Sequence, residues 1–270
     1  MKLWVLGSGS RGNAVVVESG DCRVMIDVGF GPRILTKRLK SIGLEPDMID
    51  ACVITHEHSD HIRGAARAAR RWQWPLFVTE GTYSSSRLSA LGTHAARFSP
   101  GQTIAISDLL VETFRTPHDA TEPIGVVVTS QHTGVRAAIL TDIGCATKTV
   151  RRMVRDVDIL VIESNHDEQM LWNGSYPLSL QRRIASRVGH LSNGECADLV
   201  CDAVTPRLRQ IVLAHLSEEN NTPRIAFDTM RDALKKTAFR GSLIPAAQDM
   251  AIGPVRLREF RGEGQLSLGL

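Results

Sequence analysis

The segment His56-Glu57-His58-Ser59-Asp60-His61 sets three imidazoles and a carboxylate side by side in an H-x-H-x-D-H pattern. In an extended loop His56 and His58 project to one side, so two neutral imidazoles can grip one cation while Asp60 and His61 turn toward a second. Three distant residues share the same structural address. His118 comes just after LLVETF, Asp142 after VRAAILT and His215 after QIVLA. Each thus stands at the carboxyl end of an apolar strand, the edge where ligand sites assemble in open α/β architectures. Such a set suits a dinuclear centre. His56, His58 and His118 would hold one divalent ion, Asp60, His61 and His215 a second, and Asp142 would bridge them, its charge offsetting their repulsion. A water shared by the ions would ionise near neutral pH, giving hydrolysis without a protein base. Mixed imidazole and carboxylate ligands suit Zn²⁺, and Mn²⁺ or Fe²⁺ is compatible with them.

These residues need strands to carry them, and the chain supplies strands and helices in alternation. Val-rich runs bounded by turn residues predict strands at 2–6, 14–19, 23–27, 51–55, 109–114, 124–130, 135–141, 158–164 and 210–214. Helical patterns cover 32–42, 62–71, 146–155, 178–188, 195–204 and 223–236. Alternation of this kind predicts an α/β protein with helices covering sheet faces. No linker divides the chain, so a single domain is expected over 1–260, with a flexible Gly-rich tail at 261–270.

Composition narrows the classes. In 270 residues, 43% hydrophobic and 23% charged, no apolar run is long enough for a membrane-spanning helix, and the start MKLWVLGSGS reads as a strand and not as a secretory signal. A cytoplasmic location is expected. The net charge of +3 is too small to assign a nucleic-acid partner by its field alone, although 26 of the 32 basic residues are Arg. The five cysteines lack CxxC spacing, which argues against a disulfide framework or a zinc knot. Gly7, Gly9 and Gly12 fit a dinucleotide fingerprint, yet a β-branched run follows where that fold needs a helix. A strand-to-strand turn is the better reading.

Taken together, His56–His61, His118, Asp142 and His215 resemble the metal-binding motifs of the metallo-β-lactamase fold superfamily, and Asp27 in VMIDVG resembles its early structural Asp. The resemblance covers Met1 to about Pro223. It implies an αββα sandwich of two similar halves, two mixed sheets covered by helices, with a dinuclear site at one edge. The stretches GSGSRGN, THEHSDHIRG, TPHDATEPIG, ESNHD, GHLSN and LAHLSEENNTP are similar to the YycJ (WalJ) branch of bacterial hydrolases. That likeness implies a metal-dependent nuclease with 5′-to-3′ exonuclease action on DNA and a connection to repair.

Substrate class must come from the rest of the pocket. Asp60 and His190 are the candidate catalytic residues; His190, in GHLSN, either protonates a leaving oxygen or serves as a structural hydrogen-bond partner. Arg182, Arg183 and Arg187 sit on the predicted helix before it, as a phosphate-binding group or a solvated face. Asn165 is expected near the metals and substrate, and Asn220 and Asn221 in the His215 loop. Three readings result: a phosphodiesterase on nucleic acid, a small-molecule hydrolase such as a cyclic phosphodiesterase or thioesterase, and a non-catalytic DNA-binding or regulatory protein.

Overall fold

The computed structural model describes residues 1–86, 88 and 95–256, so the tail expected at 261–270 and residues 257–260 lie outside the described residues. The first sheet takes β1 (Lys2–Gly7), β2 (Ala14–Ser19), β3 (Cys22–Ile26), β4 (Ala51–Val53), β5 (Leu76–Thr79) and β6 (Ala95–Phe98) in sequence order. The second takes β7 (Thr103–Ile106), β8 (Leu109–Arg115), β9 (Ile124–Ser130), β10 (Arg136–Leu140), β11 (Ile159–Glu163), β12 (Gln210–Ala214) and β13 (Ser242–Pro245). β14 (Ile252–Arg256) then returns to the first sheet and pairs with β1. Each sheet is antiparallel through its early strands and parallel afterwards, from β3 to β6 and from β10 to β13. The halves repeat one plan.

Period-two alternation divides the strand residues between two faces. Val15, Val17, Val24 and Ile26 meet Val111, Val126, Ile139 and Val161 in a core between the sheets. Val16 and Met25 face outward, under α1 (Pro32–Ser41) and α3 (Ala65–Trp72), the latter preceded by the short α2 (Ser59–Ile62). α4 (Glu80–Ser85) follows β5. On the far side, Val127, Leu160 and Leu213 pack beneath α5 (Lys148–Val154), α8 (Asn193–Ala203) and α9 (Pro223–Leu234), with α6 (Glu168–Asn173) and α7 (Leu178–Ile184) between β11 and α8. The result is an αββα sandwich, and burial on both faces explains strands that read as unbroken Val runs.

Two expected helices differ. The helix expected at 62–71 is split at Gly64, whose Cα lies so near the Phe30 carbonyl that an added Cβ would stand 1.9 Å from its oxygen. The helix expected at 178–188 ends at Ile184, and Arg187 falls in the following turn. The segment from Gly7 to Gly12 joins two strands, as the strand-to-strand reading expected and the dinucleotide fingerprint did not. Among the described residues no helix is long and apolar enough to cross a membrane, and all five cysteines are free.

Candidate metal centre

The loop after β4 carries His56 and His58, α2 carries Asp60 and His61, and the loop after β3 holds the segment in place. Val28 N donates to the His61 carbonyl, Asn13 N to that of Asp60, and Gly64 N to that of Val28, each at 2.8 Å. Asp27, at φ 63°, turns its carboxylate inward, where it accepts from Thr55 N and Thr55 Oγ1 at 2.8 Å and lies 2.7 Å from His61 Nδ1. A non-glycine residue in the left-handed region is costly and persists where its surroundings demand it. His215, at φ 53°, is a second case.

Second partners settle which nitrogen of each ring faces the centre. Asp27 takes His61 Nδ1, the Gly189 carbonyl takes His118 Nδ1 at 3.0 Å, and Glu163 Oε1 takes Nδ1 of both His215 and His190 at 2.8 Å. Thr55 Oγ1 lies 3.0 Å from His56 Nδ1. The Nε2 atoms of His56, His61, His118 and His215 are left for the centre, while His58 offers Nδ1, 3.2 Å from His118 Nε2.

These atoms form groups that could each hold a cation: His56, His58 and His118; Asp60, His61 and His215; His56, His61 and Asp142; and Asp142, Glu163, His190 and His215. Asp142 spans them, with Oδ2 2.8 Å from His61 Nε2 and Oδ1 3.2 Å from His215 Nδ1 and 3.7 Å from His118 Nε2. His56 Nε2 is buried without a hydrogen bond, and the buried Asp142 Oδ2 and His215 Nε2 meet only other candidate ligands, His61 Nε2 at 2.8 Å and Asp60 Oδ2 at 3.4 Å. Orphaned buried acceptors converging on one spot are what a divalent ion would satisfy, so the residues present fit metal.

Electrostatics divide the ligating rings into two pairs. Burial keeps His56 and His118 below the ordinary histidine range, leaving neutral rings with a free lone pair. Burial also opposes charge on His61 and His215, but Asp142 and the other nearby carboxylates lift both well above that range. Burial would raise Asp60 and Asp142, yet His61 and His215 hold both carboxyls far below their usual values.

The centre opens on a cavity of about 240 Å³ whose walls include Ser10, Asp119, Tyr176, Leu180, Arg183 and His190. Of the three arginines expected at substrate, Arg183 lines it, with Nε 2.6 Å from Asp119 Oδ2. Arg182 and Arg187 are exposed and do not line it, since α7 ends before Arg187 and turns Arg182 outward. Asn165 is also absent from the wall; its side-chain amide donates to the His215 carbonyl at 2.9 Å, and Asn221 holds the Ser164 and Asn165 carbonyls. It positions a ligand strand.

Glu163 was missed from sequence. It ends β11 and is fully buried, with Oε2 accepting from Ile143 N and Leu191 N at 3.0 and 3.1 Å. The rule that found Asp142 and His215, a polar residue at the end of an apolar strand, would have found it in ILVIE. Asn13 was missed too: its Nδ2 lies 3.1 Å from both Asp60 Oδ2 and His61 Nε2.

Residues 7–139 match the model of the metallo-beta-lactamase superfamily. Exodeoxyribonuclease YycJ of Bacillus anthracis is 32% identical over 87% of this chain and 89% of its own length. Exodeoxyribonuclease WalJ of Streptococcus pneumoniae serotype 2 is 34% identical over 86% of this chain and 88% of its own. Among solved structures, the metallo-beta-lactamase fold protein YhfI of Bacillus subtilis superposes with a TM-score of 0.67 at 18% identity, covering 93% of this chain and 99% of that one. With the sandwich, the divalent-metal ligand groups and these likenesses in place, the chain belongs to the metallo-β-lactamase superfamily of metal-dependent hydrolases, in its YycJ- and WalJ-like branch.

Proposed function

We propose that the protein is a metal-dependent nuclease that removes nucleotides from DNA in the 5′-to-3′ direction. The observation that carries this reading is the set of ligand groups meeting at Asp142, in a chain whose relatives over most of its length are named exodeoxyribonucleases. His56, His58 and His118 would hold one ion, Asp60, His61 and His215 another, and Asp142 would lie between them; zinc or manganese suits these donors. Bound there, two divalent ions supply Lewis acidity toward a phosphoryl oxygen and acidify water.

The chain's own groups do the rest. Asp27, Asn13 and Glu163 fix the rings and the Asp60 carboxylate before substrate arrives. With Nδ1 of His190 committed to Glu163, Nε2 is the nitrogen that can give a proton to a departing oxygen. Burial opposes a charge on His190, but Glu163 and Asp142 lift it above the ordinary histidine range, which favours the protonated ring that such a role needs. Arg183, tethered by Asp119 in the cavity wall, supplies positive charge toward a phosphate. A setting in DNA repair follows from the branch resemblance alone.

The test is a panel of end-labelled single- and double-stranded DNA, RNA and a small phosphodiester, each incubated with the purified protein and Zn²⁺ or Mn²⁺. Mononucleotides released progressively from DNA, and none in chelator, are expected. Intact DNA alongside cleaved small phosphodiester would replace this reading with a small-molecule hydrolase.

A further inference from the structure

The small net charge conceals a strongly one-sided distribution. Residues 62–79, from the end of the metal loop to the end of β5, contain Arg63, Arg67, Arg70 and Arg71 and no Asp or Glu. Residues 28–44, which include α1, contain Arg33, Lys37, Arg38 and Lys40 and again no acid. Both helices cover the same face of the first sheet.

The sequence AARAARRW explains how α3 presents its arginines. Ala65, Ala68 and Ala69 are buried and let the helix sit close to the sheet, which leaves Arg67, Arg70 and Arg71 on the solvent side. Arg67 and Arg71 stand about 6 Å apart along the axis, one turn of helix. Arg63 is exposed two residues after His61, so the row begins beside the metal loop.

Several arginines elsewhere are paired, although Arg152, Arg155, Arg182 and Arg187 make no ion pair among the described residues either; what marks this face is its run of bases without an acid. Arg151 meets Asp202, Arg183 meets Asp119, and Arg224 and Arg231 meet Asp228. Arg63, Arg67, Arg70 and Arg71 make no ion pair among the described residues; Arg70 reaches the Ala66 carbonyl, and Arg71 lies 5.7 Å from the ring of Trp72. Unpaired like charges repel one another, and a neighbouring acid would relieve that repulsion. Their arrangement matches a partner that is itself a line of anions.

We infer that the arginine face of α3, flanked by Arg33 and Lys37 of α1, is a track for the sugar-phosphate backbone of nucleic acid extending beyond the nucleotide at the metal centre. This rests on the nuclease reading and adds a surface to it. Binding through such a track is sequence-independent and salt-sensitive, because each phosphate neutralised releases counterions.

The experiment compares the full-length protein with a triple variant, Arg67→Gln, Arg70→Gln and Arg71→Gln; glutamine keeps helix propensity close to that of arginine. A control variant removes the same charge from the opposite helix layer, through Arg151→Gln and Arg152→Gln on α5 and Arg155→Gln at its C-terminal cap. Fluorescence anisotropy with a 30-nucleotide single strand, in chelator so that the strand stays whole, gives affinity against salt. Hydrolysis of bis(4-nitrophenyl) phosphate with Mn²⁺ reports on the metal centre alone.

The α3 variant should bind the strand at least tenfold more weakly, with a salt slope shallower by about 2 for three lost contacts to single-stranded phosphates. Its small-phosphodiester turnover should match the unsubstituted protein, and the α5 variant should bind DNA within twofold of it. Equal loss in both variants, or no loss in either, overturns the track while leaving the nuclease reading intact if DNA is still degraded. Unsubstituted protein that neither binds nor cuts DNA overturns both. Loss of binding to phosphatidylserine vesicles without loss of DNA binding would identify a membrane-facing surface and overturn the track.

Discussion

Glu163 joins two imidazoles that lie far apart in sequence, accepting Nδ1 of His190 and of His215 on one oxygen while two backbone amides occupy the other. Burial works to raise its carboxyl, but His190 and His215 hold it below the ordinary range, so it stays an anion. Glu163→Gln would remove that charge and, in one of its two orientations, turn an amide donor onto the Ile143 and Leu191 amides. The expected result is about 1–3 kcal/mol lower stability, by denaturant unfolding, from the buried unsatisfied groups. Metal affinity should fall by about 10–100-fold, as for other partners of ligating histidines. Unchanged affinity in a metal titration would make Glu163 a core residue only. At this scale the metal loop was legible because its donors are contiguous, and His118, Asp142 and His215 because each ends an apolar strand. Asn165 stands beside a ligand residue, as expected, but outside the cavity wall: nearness in the chain to a ligand strand does not say which way an amide points, and this one is spent on the His215 carbonyl.

The loops after β3 and β4 act as one element, and Gly29 is where they touch most closely. A Cβ there would stand 1.8 Å from the Asp60 carbonyl oxygen and 2.5 Å from Asn13 N, both backbone atoms that cannot swing aside. Gly29→Ala should therefore displace Asp60 and His61, cost about 1–3 kcal/mol by analogy with overpacked cores, and weaken metal binding. Gly31→Ala, two residues on with open space around its Cα, should do neither. Calorimetry with metal titration separates the two, and equal behaviour would show that the loops can part without consequence. Long Val-rich strands and proline-started helices were readable locally. β5, β6, β7 and β13, at four residues each, were not, because so short an apolar run carries no periodicity. β14 escaped for a different reason: Gly253 and Pro254 argue against a strand, and Pro is tolerated because β14 lies at an edge.

Across the whole molecule, the two halves meet at the centre, β3 and β4 delivering one set of donors and β8, β10, β11 and β12 the others. Metal that binds only this assembled arrangement must stabilise it. Chelation should lower the thermal midpoint, since an ion at a hundred times its dissociation constant contributes about 2.7 kcal/mol. An unchanged midpoint in scanning calorimetry would mean that the centre binds no metal tightly. Alternation of strands and helices was enough to read the α/β class, whereas the placement of charge was not: the sign balance of the whole chain hides an outer layer in which α1 and α3 carry bases and no acids. The return of β14 to β1 has a consequence for synthesis. Lys2–Gly7 is made well before Ile252–Arg256, and its outer edge is covered only when that strand arrives. Throughout translation of the intervening chain, the nascent protein offers an open strand edge to any extended segment nearby, which makes early association with another copy a hazard of this topology.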